Sequence, residues 1–167
     1  LFFRRGEQRA AMSVEGWGRG DDAALGSSMS SALSVVPVFA ACRLISDSIA
    51  TLPLQAYRKT GDVRTPIALP AVFDTETRIE WVQQALMSLL LRGNAYGLVV
   101  ARSGDGTPKR VQWLNPERVD IDETGTKPVF RYNGTVVPDV DMKHIPAYAM
   151  PGTVKGLSPI GACSMLA

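Results

Sequence analysis

Cysteine and histidine are scarce in this chain. Its 167 residues contain two cysteines, Cys42 and Cys163, and one histidine, His144. This excludes a disulfide-stapled miniprotein, and the spacing gives no paired ligands for zinc. Apolar residues precede Arg4-Arg5, which reverses the order of a secretory signal, so we expect buried thiols in a reducing compartment. The longest dense apolar run, residues 86–91, is far shorter than the roughly 18 residues that span a bilayer, and we expect no membrane partner.

An excess of charge of one sign is also lacking. Eighteen Lys and Arg residues against sixteen Asp and Glu residues leave a formal net charge of +2. A protein that holds nucleic acid through its phosphates carries a stripe of Lys and Arg, and this sequence has none. We therefore expect that this segment does not bind double-stranded DNA tightly. With 46% apolar and 20% charged residues, the chain has the composition of a folded domain.

The motifs of phosphate binding and nucleophilic catalysis are missing. No Gly-Lys-Ser/Thr and no Gly-x-Gly-x-x-Gly occurs. Ser158 is followed by Pro159, which has no N–H to donate to an oxyanion, so a helix cap is the better interpretation of this serine. We predict a protein that is not an enzyme and uses no cofactor or metal. The alternative is a base, His144, acting with Asp120 or Asp122, although packing for His144 and a solvated edge strand for the aspartates explain these residues as well.

Residues 1–33 are predicted to form a flexible arm because glycine and serine interrupt them and no period is sustained. Trp17 lies in this arm, and we weigh two interpretations of it evenly: it folds back on its own domain, or it contacts a neighbouring subunit. A helix follows, capped by Ser34 with Pro37 in its first turn. Its predicted core stripe repeats at spacings of four and three: Val38, Cys42, Ile45, Ile49 and Leu52.

A second helix is predicted from Thr77, where Thr-Arg-Ile-Glu matches a capping box, to its C′ residue Gly93. Its predicted core stripe consists of Ile79, Val82, Leu86, Leu89 and Leu90. Met87 and Leu91 lie off that stripe. They form either a second buried face within the domain or a subunit contact.

From residue 95 onward the apolar period changes to two, which is typical of strands. Six strands are predicted, at 95–102, 110–114, 118–122, 129–132, 135–137 and 143–145, with Asn133-Gly134 as a hairpin turn. A short strand is also predicted at 54–57, whereas 59–75 is expected to be a connection. Ser158-Pro159 predicts the cap and first residue of a third helix at the C-terminus. The expected fold class is therefore α+β, with two amphipathic helices packed on antiparallel β-hairpins.

Several short motifs in a fixed order carry a resemblance to a known family. The segments are 38–54, Leu-Arg-Gly-Asn-Ala-Tyr within 89–96, Leu-Asn-Pro-Glu-Arg-Val at 114–119, His-Ile at 144–145 and Gly-Leu-Ser-Pro-Ile at 156–160. Together they resemble the portal proteins of tailed double-stranded DNA bacteriophages, in the long-tailed branch. The resemblance marks these positions as structural: Arg43, Gly93, Asn94, Tyr96, Pro116, His144, Gly156, Ser158 and Pro159. One departure is residues 72–76, which stand where the family usually has a Pro-Asn-rich loop.

The resemblance implies that this chain is the N-terminal, wing-domain portion of a portal subunit. Residues 34–157 are expected to be a wing-like domain, and 158–167 the start of a helix leading to a stem and channel region that this chain does not include. The implied assembly is a dodecameric ring at the unique capsid vertex of the virion, assembled in the host cytoplasm. Double-stranded DNA passes through it during packaging and ejection, and it docks the terminase large subunit, the capsid or scaffolding protein and the head–tail adaptor. The rival is another phage head or head–tail adaptor structural protein.

Overall fold

The computed structural model describes residues 32–33, 35–73 and 77–164. Within these residues the chain forms three α-helices, a short 3-10 helix at Pro116–Arg118 and eight strands. In chain order they are α1 (Val36–Ala50), β1 (Ala56–Thr60), β2 (Val63–Ile67), α2 (Arg78–Arg92), β3 (Asn94–Arg102), β4 (Pro108–Leu114), β5 (Val119–Asp122), β6 (Val129–Tyr132), β7 (Thr135–Val137), β8 (Met142–Pro146) and α3 (Pro159–Ser164). The mixed α+β class is confirmed. Ser34 and Trp17 lie outside the described residues, as does the side chain of Cys163.

The strands form three antiparallel sheets, and every strand pair except β3–β8 joins strands that are consecutive in the chain. The central sheet has the order β4-β3-β8, the second has the order β5-β6-β7, and β1 pairs with β2 alone. The Asn133-Gly134 turn is confirmed: Asn133 has φ 50° and Gly134 has φ 79°, and Tyr132 pairs with Thr135 across it.

Two apolar clusters form the core. The first joins the central sheet to the second sheet and contains Tyr96, Leu114, Val119, Phe130 and Met142. The second joins the helices and is built on Ala32, Cys42 and Leu91, with Ile160 of α3 packed against it. Cys42 is a free, buried thiol, and burial raises its pKa, so the prediction of a buried thiol is confirmed at this position.

The predicted core stripe of α1 is wrong in most of its members. The buried residues are Cys42, Ser46 and Ala50, spaced by four, whereas Ile45 and Ile49 remain 42% and 44% exposed. Small side chains on the buried face allow α1 to approach α2 closely. The Ser46 hydroxyl donates to the Arg43 carbonyl at 3.1 Å, which offsets the cost of burying a polar group.

The predicted stripe of α2 is also displaced. The structure buries Ala85, Ser88 and Leu91, because α2 is covered by α1 and α3 on one side and by β3 on another. The Thr77 side chain makes no capping bond: its ψ of 21° departs from the extended conformation that an N-cap adopts. The predicted C′ residue is confirmed, since Gly93 has φ 68° and its N–H donates to the Leu89 carbonyl.

The expectation of a connection at 59–75 is wrong for its first part. Residues 56–67 form a β-hairpin in which Ala56 pairs with Ile67 and Thr60 with Val63. The two residues between the strands are Gly61 and Asp62, and Gly61 supplies the positive φ of 61° that a tight turn requires. The hairpin lacks a buried face, which explains why its sequence shows no apolar alternation.

Candidate functional site

The motifs that predict a structural role converge where α2 ends and β3 begins. Five residues from three separate segments meet there: Gly93, Asn94, His144, Gly156 and Ser158. We call this cluster the polar junction. It lies between the central sheet and the start of α3, so it fixes how the helical and sheet parts of the fold meet.

Asn94 is the centre of the polar junction, and it is only 6% exposed. Its Nδ2 donates to the carbonyls of Arg92 and Gly156, each at 2.9 Å. Its Oδ1 accepts from the Gly156 N–H at 2.8 Å and lies 3.0 Å from His144 Nε2. Because Nδ2 faces two carbonyls, the amide orientation is defined and His144 Nε2 carries the proton. One side chain therefore uses its full bonding capacity to join three segments.

Two glycines allow the backbones to meet at the polar junction. A Cβ on Gly93 would lie 1.8 Å from the Leu157 carbonyl oxygen, and a Cβ on Gly156 would lie 2.2 Å from that of Ala147 and 2.4 Å from that of Gly93. The Gly93 carbonyl in turn accepts from the Ala147 N–H at 2.7 Å. No other residue type fits at either position without moving backbone.

The His144 ring packs against aromatic residues of the first core cluster. It stacks on Tyr96 with the ring centroids 4.7 Å apart and the planes 10° from parallel, and Phe130 contacts it edge-on at 5.6 Å. Burial lowers the pKa of His144, and the positive charge of Lys155 lowers it further. A lowered pKa favours the neutral imidazole, whose Nε2–H donates to Asn94 and whose ring stacks on Tyr96.

Ser158 joins the end of α2 to the start of α3. Its Oγ donates to the Leu91 carbonyl at 2.9 Å and accepts from the Gly161 N–H at 3.1 Å. The predicted cap is thereby confirmed, and Pro159 begins the helix as expected. From α2, Ser88 Oγ reaches the Asn94 carbonyl at 2.8 Å. Hydroxyl groups therefore satisfy carbonyls that the ends of α2 and β3 would otherwise leave unpaired.

Two of the predicted structural residues lie away from the polar junction. Pro116 is in a 3-10 turn, where Asn115 Oδ1 accepts from the Glu117 N–H at 2.9 Å and Glu117 pairs with Arg92 at the end of α2. Arg43 is on the exposed side of α1 and reaches Asp47 at 3.4 Å. Sequence reasoning did not identify Ser88, whose only signal is a serine within an otherwise apolar face.

The candidate subunit contacts divide into two kinds. Leu91 is 1% exposed and packs against Cys42, so its own chain covers it and it leaves no surface for a neighbour. This corrects the subunit-contact interpretation and confirms the second buried face. Met87 is half-buried against the same cluster, and a subunit contact there stays a prediction.

The residues of the catalytic alternative are not bonded to one another. His144 bonds to Asn94, whereas Asp122 accepts from Thr124 and Arg131, whose hydrogen bonds lower its pKa. Asp120 is exposed on the same strand, β5.

Within residues 32–33, 35–73 and 77–164, no three His, Cys, Asp or Glu side chains are placed to hold a metal ion. None of the helices described is long and apolar enough to cross a bilayer.

The structure is an α+β domain, and most of its motif residues make hydrogen bonds that join segments of the fold. This pattern is typical of structural proteins. Comparison with known proteins gives its family: the family model described as phage portal protein matches residues 37–166. The chain belongs to the phage portal protein family, which confirms the resemblance.

Individual relatives agree with this assignment. The probable portal protein of Streptomyces phage phiC31 is 35% identical over 157 residues, covering 77% of this chain and 32% of that protein. The chain thus spans about a third of that relative's length. An HK97 family phage portal protein from Corynebacterium diphtheriae shares the fold with TM-score 0.57 at 18% identity, covering 82% of this chain and 43% of that one. A chain in the neck of an empty gene transfer agent particle has TM-score 0.63 at 20% identity, covering 89% and 42%.

Proposed function

We propose that this chain is the wing-like part of a phage portal subunit and that its work is structural rather than catalytic. The polar junction is the main observation that supports this proposal. The motif residues gathered there make hydrogen bonds or close backbone contacts that hold helix ends and strands together. A catalytic group needs a free donor or acceptor facing a reactant. Asn94 has all its hydrogen-bonding positions occupied, and Ser158 caps a helix.

The proposed division of the chain follows from the polar junction. Residues 34–157 act as the wing-like domain, and 158–167 begin a helix that leads toward the channel region of the subunit. Ser158 and Asn94 hold the start of α3 against the end of α2, so the polar junction sets the direction in which that helix leaves the domain. A fixed direction is what a symmetric ring needs from each of its subunits.

The proposed setting is a dodecameric ring at the unique capsid vertex of the virion, formed in the host cytoplasm. The ring is the head–tail connector and the conduit through which DNA enters and leaves, and it docks the terminase large subunit, the capsid or scaffolding protein and the head–tail adaptor. The near-neutral charge of this segment supports a surface along which DNA slides instead of adhering.

The test measures the mass of the assembly and its binding to terminase. The complete gene product that contains this chain is purified, its mass is measured by light scattering, and immobilised terminase large subunit is used to capture it. A portal gives a closed oligomer that terminase captures. A closed oligomer that terminase does not capture would indicate a head–tail adaptor, and turnover that depends on His144 would contradict a structural role.

A further inference from the structure

The β1–β2 hairpin is the part of the described fold with the least support from the rest. Ala56 is half-buried, and the residues from 57 to 67 are all exposed. Its extensive contacts are between its own two strands. An isolated two-stranded hairpin is marginally stable in water, so a docking partner would stabilise this one.

One face of the hairpin carries unbalanced positive charge. Lys59 and Arg64 pair directly across the strands, and like charges in that position repel. Tyr57, 52% exposed, stands on the same face two residues from Lys59. Arg58 lies on the opposite face. Within the described residues, the side chains of Arg58, Lys59 and Arg64 make no ion pair or hydrogen bond. An acidic partner placed over Lys59 and Arg64 would turn their repulsion into attraction.

The segment that joins α1 to the hairpin adds apolar area. Leu52 and Leu54 are exposed, while the Leu52 carbonyl accepts from Arg78 at 3.2 Å and anchors the base of the hairpin to α2. A protein–protein interface typically has an apolar centre and a polar rim, and exposed apolar residues beside a charged surface match that composition. They favour a protein surface as the partner over a nucleic acid.

The same chain offers a surface of the opposite sign. β5 is an edge strand of its sheet within the described residues. Asp120 is exposed on this strand, and Glu123 is exposed directly after its last residue. Neither carboxylate has an ion pair or hydrogen bond in the part of the chain described, whereas Asp122 between them bonds to Thr124 and Arg131. A closed ring is built from head-to-tail contacts, in which one patch of a subunit meets a different patch of the next.

We propose that the β1–β2 hairpin docks on a second copy of this chain and seats Lys59 and Arg64 against the Asp120–Glu123 edge of that copy. This inference rests on the proposed function, because a ring requires such a head-to-tail contact. It goes beyond that function by naming the two surfaces. The contact joins unlike patches, so it propagates from subunit to subunit instead of closing a two-fold dimer.

A charge-exchange experiment tests the pairing. One variant carries Lys59→Glu and Arg64→Glu, and another carries Asp120→Lys and Glu123→Lys. Both pairs of substitutions are made in the complete gene product that contains this chain, and sedimentation velocity measures self-association of each product at low ionic strength. Each variant alone is expected to lose about tenfold or more in association constant, because both of its patches then have the same sign. The equimolar mixture is expected to associate again, because every contact in it pairs opposite signs.

The matched control is Lys109→Glu with Arg110→Glu, which makes the same charge change at two exposed residues of β4. It is expected to associate as the unmodified product does. A second measurement uses no variant: added salt weakens association of the unmodified chain. The inference is overturned if either variant associates as strongly as the unmodified product, if association does not change with salt, or if the mixture fails to associate. The proposed function survives those outcomes. It fails if the complete gene product forms no ring, if terminase does not capture that ring, or if the product shows turnover that depends on His144.

Discussion

At the residue scale, the buried side-chain amide of Asn94 joins more segments of the chain than any other group in the polar junction. Asn94 donates to two carbonyls and accepts from the Gly156 N–H and from His144. A buried polar group that loses its partner costs far more than an exposed one, because water does not replace the bond. The effect of single substitutions should therefore depend on burial more than on residue type.

We predict that Asn94→Ala lowers the free energy of unfolding by about 3 kcal/mol, since it leaves the Gly156 N–H and two carbonyls without the amide. Urea unfolding followed by circular dichroism measures this loss. The matched control is Asn115→Ala, which removes a single exposed bond to the Glu117 N–H and should cost about 1 kcal/mol. Equal losses in the two variants would contradict the central place of Asn94.

The lowered pKa of His144 predicts a pH dependence of stability. The unfolded histidine titrates near its ordinary value of 6.5, whereas the folded one titrates lower. Below pH 6.5 the unfolded chain binds more protons than the folded chain does. The contribution of His144 to the free energy of unfolding is therefore fully present at higher pH and is lost as the pH falls from 6.5 toward the folded pKa. His144→Gln keeps a donor for Asn94 and removes this part of the slope. Unfolding free energies of both chains between pH ~7 and ~5.5 test it, and identical slopes would disprove it.

At the scale of elements, the approach of α2, β3 and the segment before α3 depends on glycine. We predict that Gly156→Ala destabilises the fold by about 3 kcal/mol or more, because its Cβ would overlap two backbone carbonyl oxygens. Gly104→Ala is the control: the space around it is open, and its φ is not positive, so its effect should stay within about 0.5 kcal/mol. Thermal unfolding compares them, and a melting temperature for Gly156→Ala equal to that of Gly104→Ala would refute the close contact.

Local signals predicted several ends of elements correctly, with the capping box at Thr77 as an exception, and they predicted the buried faces of the helices poorly. Gly93 and Asn133-Gly134 adopt positive φ, and Ser158 caps α3, because each signal acts within a few residues. The buried faces of α1 and α2 were misplaced because they depend on what packs against each helix. Ile45 and Ile49 have the period of a core stripe, yet the small residues Ser46 and Ala50 are the ones buried.

The candidate site shows the same limit. The resemblance named Asn94, His144, Gly156 and Ser158, and the sequence alone did not show that they meet. Their bonds join positions 50 to 67 residues apart, which no local pattern encodes. The β1–β2 hairpin was missed for a different reason, since a strand pair without a buried face has no apolar alternation to detect.

At the scale of the whole molecule, the account makes the chain a geometric part of a ring. The chain covers 32% of the length of its relative from phage phiC31, so the ring is proposed for the complete gene product. In the proposed ring, the polar junction would set the direction in which α3 leaves the domain, and the β1–β2 hairpin would contact the neighbouring copy. Failure of the polar junction should therefore disturb assembly without affecting any turnover.

Electron microscopy of the purified complete gene product tests this claim most directly. The account predicts closed rings with a central channel, and it predicts fewer of them when the product carries Asn94→Ala than when it carries Asn115→Ala. Persistent monomers at micromolar concentration, or rings formed equally well by both variants, would contradict it.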